Sequence, residues 1–132
     1  SDFLFGAWKR DTSAITLFSD GAGFIKDDGD TNIDLIAAYN AASTADYTRE
    51  NAVGTLATAY KTYVVKVVTD ANTLGIGTVY GYLDGDLAGT LGGPTSSILA
   101  HDEEWALGFA IRNGEAVAKT LTIDYVGWIS ER

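Results

Sequence analysis

The 132-residue chain has no cysteine, no methionine, one proline (Pro94) and one histidine (His101). Without cysteine it has no disulfide, zinc–thiolate site, iron–sulfur cluster or thiol nucleophile. The redox compartment stays open. Without methionine, either Ser1 follows a removed initiator or the chain is a piece of something longer. Positive charge is scarce: 9 Lys and Arg stand against 18 Asp and Glu, a net charge of −9. That is the wrong sign for neutralising nucleic-acid phosphates or docking on anionic lipid. We therefore expect neither nucleic acid nor membrane as a partner. No run approaches the ~18 apolar residues of a membrane span. The opening SDFLFGAWKRD shows no basic stretch followed by an apolar one, so no signal peptide is visible, and a cleaved one is left open.

What is present fits one globular domain over residues 1–132, whole or cut from a longer chain. A chain of this length buries roughly two-thirds of its unfolded surface, so a core needs no metal or disulfide. Thirteen of the acids are Asp and five are Glu. Asp favours turns and Glu favours helices, which places the negative charge mainly in loops.

Three turn dipeptides separate apolar stretches: Asp28-Gly29, Asp84-Gly85 and Asn113-Gly114. Each tolerates the positive φ of a tight hairpin. Period-two patterning then predicts strands over 3–8, 14–18, 21–26, 61–70, 76–83, 86–91 and 105–111, and a last strand from 117 towards Ile129. Residues 32–60 are Ala-rich, and Thr31 with Asp34 could mimic a helix-capping box, so a helix is the alternative there. Strands are preferred, because Ile33, Leu35, Ala37 and Tyr39 alternate with Asn32, Asp34, Ile36 and Ala38. About ten short strands at this turn spacing predict an all-β antiparallel β-sandwich.

Three segments carry a resemblance. TVYGYLDGDLAGTL resembles the strand–Asp-Gly–strand hairpin of concanavalin A-like and laminin G-like sandwiches. FAIRNGEAVAKTLTIDYVGWISER resembles their last hairpin, and GAGFIKDDGDTNIDL a central one. The wording of the "AGF" strand and of "TIDYVGWISER" is similar to modules of tailed-bacteriophage virion proteins. The likeness spans about residues 20–132. It implies a jelly-roll, concanavalin A-like sandwich with its first strands missing or cut off. An exposed sheet edge would follow, open to pairing with another chain.

Catalytic patterns are weak. The sandwich glucanases that share such folds alternate carboxylates along one strand, and no E-x-D-x-E run exists here. Glu103 and Glu104 are adjacent and would point to opposite faces of a strand; Asp124 has no carboxylate two residues away. His101 sits in an acidic loop, and neither Ser96 nor Ser97 has a nucleophile-elbow context. No enzyme is expected. Asp28, Asp30 and Asn32 are candidate Ca²⁺ ligands at alternate positions. Ile33, however, stands where an EF-hand loop needs Gly, and the distal Glu is missing. Asp84 with Asp86 is a weaker pair. The competing reading is a type I′ hairpin turn with solvated carboxylates. Glycan binding needs an exposed aromatic platform. Tyr47 and Tyr60, in the loop-like middle, are its candidates, and Trp8 beside Lys9 and Arg10 is an interface candidate. Trp105 and Trp128 are expected in the core.

The resemblance implies a non-catalytic virion module at the particle surface: a capsid decoration, head-fibre or tail-fibre domain. Its partners would be other virion proteins, further copies of itself (a trimer fits) or a host-surface glycan. The alternative is a carbohydrate-binding lectin-like module of a cell-surface or secreted protein.

Overall fold

A computed structural model describes residues 2–9, 18–56, 59–69, 73, 75–99, 104–112, 118 and 120–129. Among these residues, eight strands form two antiparallel sheets: β1 (Asp2–Lys9), β2 (Gly21–Lys26), β3 (Asn32–Ala38), β4 (Thr48–Thr55), β5 (Tyr63–Thr69), β6 (Ile76–Leu83), β7 (Asp86–Ser97) and β8 (Trp105–Arg112). The larger sheet runs β4-β3-β2-β1-β8 and the smaller β5-β6-β7. The all-β sandwich expected from the patterning is the observed architecture.

The described residues of 32–60 include strands β3 and β4 and no α-helix; the only helical turn among the described residues is a 3₁₀ turn at Thr44–Asp46. Ser43 N–H and Oγ and Ala42 N–H all donate to the Asp46 carboxylate, so the cap belongs to that turn and not to Thr31 and Asp34. β7 is longer than the pattern predicts. It is an edge strand, so it tolerates Pro94 without a lost ladder bond. Most of the expected strand at 14–18 lies outside the described residues, and Phe18 itself is outside any strand. The last expected strand is a correction: residues 120–129 are in no strand. Trp128 is 57% exposed there, not in the core. The Asn113-Gly114 turn lies outside the described residues.

The sheets meet over Phe24, Ile33, Leu35, Val79, Leu91 and Leu99, with Tyr63, Val65, Val67 and Trp105 against them. Gly81 makes room for this core, since a Cβ there would lie 2.8 Å from Leu35 and from the Phe24 ring. β2 and β3 are buried on both faces almost throughout. Their second face carries Leu4, Ile25, Ile36 and Ala38 of the large sheet, roofed by Phe18, Ala41 and Tyr47 from the loops. Along one side the chain is thus three layers deep: loops, large sheet, small sheet.

Asp residues fasten these loops. Asp20 Oδ1 accepts from Asn40 N–H at 2.8 Å, holding the turn after β3. Asp34 Oδ1 accepts from Ala52 N–H at 2.9 Å. Ala52 has φ 56° and sits where the β3–β4 register shifts between Ile33 and Leu35, so Asp34 pins a β-bulge. Among the described residues, most carboxylates lie in loops and turns, as Asp enrichment predicts.

Candidate interaction faces

The sheets differ in width by two strands, and this shapes the surface. β7 lies on β4 and β3, and β5 and β6 lie on β2. The β4–β7 flank is latched: the Glu50 carboxylate accepts from Thr90 N–H on the edge strand β7. The opposite flank is unfinished. Register places Phe3, Phe5 and Ala7 of β1 on the same face as Ile111, Phe109 and Leu107 of β8. Phe5 pairs with Phe24, a core residue, so this is the face turned towards the small sheet. Tyr63 of β5 reaches Phe3 and Phe5, with ring centroids 5.7 and 6.4 Å apart. Beyond it Phe109 is 49% exposed and Ile111 39%. Trp105, on the same face, has its indole N–H buried without a partner among the described residues.

The outer face of the small sheet is a second candidate. Val64 pairs with Tyr82, Lys66 with Tyr80 and Val68 with Thr78, and Tyr82 with Leu87 and Tyr80 with Thr90 across the next ladder. Lys66 Nζ lies 5.9 Å from the centre of the Tyr80 ring, a cation–π contact. The alternation of Val64, Lys66 and Val68 with their neighbours is legible in the sequence. That it lines up beside Tyr80 and Tyr82 requires the strand register.

The sequence-derived candidates fare unevenly. Tyr47 is no platform: it is 7% exposed, and its hydroxyl accepts from Phe18 N–H at 2.9 Å and donates to Phe18 O at 3.1 Å. Burial is the main cause that raises its pKa above the usual phenol value. Trp8 is half-buried and stacked on Phe18, with planes 10° apart, and Phe18 stacks on Tyr47. Arg49 completes the column over the Tyr47 ring and pairs with Asp27 and Asp34 at 2.7 and 3.1 Å. Tyr60 is 75% exposed, beside Lys61, and remains available to a ligand.

The candidate calcium loop is organised by hydrogen bonds within itself. Asp30 Oδ1 accepts from Asn32 N–H at 2.9 Å, and Asp30 N–H donates to Asp27 O at 3.2 Å. Only Gly29 has positive φ there, the pattern of a type II turn and not of the expected type I′. The type I′ turn is at Asp84 (φ 53°) and Gly85 (φ 93°). Asp84 accepts from Thr62 N–H at 2.9 Å and pairs with Lys61 at 3.3 Å. These two contacts, the backbone one first, hold its carboxyl below the usual range. Among the described residues, no three His, Cys, Asp or Glu side chains are grouped to hold a metal ion. Neither Asp28 and Asp30 nor Asp84 and Asp86 is part of such a group.

No family model, curated protein or solved structure matches the chain.

Proposed function

We propose that the chain is a non-catalytic structural and interaction module of a bacteriophage particle, a capsid decoration, head-fibre or tail-fibre domain at the virion surface. The phage context rests on the resemblance of the "AGF" and "TIDYVGWISER" segments. The observation that carries the interaction role is the unfinished flank, where Phe109 and Ile111 point inwards with no second sheet above them. A contiguous apolar surface of this kind marks a docking site. A further support is the use of the carboxylates of Asp20, Asp34, Asp46, Asp84 and Glu50: each accepts a backbone N–H and serves as a fastener. The test is quantitative mass spectrometry of particles purified from the source. The chain, alone or within a longer polypeptide, is expected at fixed stoichiometry with the major virion proteins. Its absence from washed particles overturns the reading.

The lectin-like reading is favoured by the outer face of the small sheet, where Tyr80 and Tyr82 flank Lys66, Thr78 and Thr90. Tyrosine faces beside hydroxyl and ammonium groups suit sugar rings. A glycan array run with and without Ca²⁺ tests it, with loss of signal expected in a Tyr80→Ala, Tyr82→Ala variant.

A further inference from the structure

Residues 120–129 and the β5 edge are both unsatisfied in the single chain, and they match. Over 120–125, apolar Leu121, Ile123 and Tyr125 alternate with Thr120, Thr122 and Asp124; beyond them Val126 and Trp128 fall on the even side. This is the alternation of a half-buried strand. Yet the segment is in no strand, with Tyr125 82% and Ile129 94% exposed. Among the described residues β5 pairs only with β6, and its Tyr63 lies against Phe3 and Phe5 of β1, beside which Phe109 and Ile111 of β8 are exposed.

We propose that residues 120–129 of one copy pair as an antiparallel strand with β5 of a second copy, widening the small sheet over Phe109 and Ile111. One register satisfies both faces. Lys66 opposite Asp124 places Val64 opposite Val126 and Val68 opposite Thr122 on the outside. Inside, Val65 meets Tyr125, Val67 meets Ile123, and bulky Tyr63 meets Gly127. The apolar positions Ile123 and Tyr125 then lie over the exposed side chains of β8, and the charges face each other in solvent, where opposite-charge cross-strand pairs are favourable. Pairing to an exposed edge provides main-chain hydrogen bonds as well as side-chain burial. The occupant is a second copy because residues 120–129 lie in no strand of their own chain. Donor and acceptor are different surfaces, so the assembly closes by reciprocal exchange of two copies or as a ring of three. This inference rests on the interaction role proposed above but not on the phage context.

The full chain is studied by light scattering and by hydrogen exchange at several concentrations. A dimer or trimer is expected, with amides of 121–126 and of β5 protected only as it forms. Lys66→Glu and Asp124→Lys are each expected to weaken association about tenfold, and the double variant to restore it. Circular dichroism checks that all three remain folded. A monomer over the whole accessible concentration range overturns the proposal. So does protection independent of concentration, which would place the segment on its own chain. An oligomer that leaves 121–126 unprotected, or ignores the charge exchange, overturns it too. Absence of the chain from particles would overturn the phage reading and leave this pairing standing.

Discussion

At the residue scale, the outer layer depends on one phenol. Tyr47 is the only partner described for both Phe18 N–H and Phe18 O, and all three groups are buried. Removing the hydroxyl leaves a buried donor unpaired, which costs about 1–3 kcal/mol. Tyr47→Phe is therefore expected to lower stability by about that amount with an unchanged denaturant slope, read by urea titration. Tyr47 also shows what the sequence conceals. Its neighbours Ala45, Asp46 and Thr48 are those of a solvated loop, and only the distant Trp8 and Phe18 turn it into core. By contrast the type I′ turn at Asp84-Gly85 was legible, because its backbone demand is local: two consecutive residues must take positive φ.

At the element scale, the small sheet reads cleanly and the large one does not. β5 alternates because one of its faces meets solvent. β2 and β3 are covered on both sides, so polar residues are sparse and periodicity weak, and an Ala-rich β3 can be mistaken for helix. The segment 120–129 fails in the opposite way. Its alternation is clear over 120–125, but a strand needs a partner, and pattern alone does not say which chain provides it. The glycines of β6 are a steric requirement: Gly81→Ala pushes a methyl against Phe24 and Leu35. Overpacking of this kind costs about 1–3 kcal/mol. Thermal denaturation should show the loss, whereas Gly85→Ala, which meets nothing within 4 Å, should cost only the backbone strain of its φ of 93°.

At the scale of the whole molecule, stability should have a pH window with causes on both sides. Asp84 has its folded pKa lowered by the Thr62 amide and then Lys61. Its contribution is full above the unfolded carboxyl value and is lost as pH falls through the folded one. Asp84→Asn keeps a residue suited to the type I′ turn, and should flatten that part of the acid limb in urea titrations from pH 6 downwards, to about pH 2. Tyr47 and Tyr63 are raised, each mainly by burial. Their contribution is full below the unfolded phenol value and is lost as pH rises through the folded one. Alkaline unfolding should thus be steeper than exposed tyrosines alone would give, as phenolate absorbance during a base titration can show.

The layered build also places the three tryptophans in three different settings. Trp8 lies in the aromatic column under the loops, Trp105 packs against the core between the sheets, and Trp128 stands largely in solvent on the unpaired segment. Each of the two core clusters and the segment 120–129 therefore carries its own intrinsic fluorophore. In variants that keep one tryptophan at a time, coincident unfolding curves for Trp8 and Trp105 are the expected result, because β2 and β3 are shared by both layers. Trp128 should emit at long wavelength. Because the pairing proposed above would leave it on the outer face beside Val126, its emission should change little on assembly, which leaves Trp8 and Trp105 to report on the packed layers.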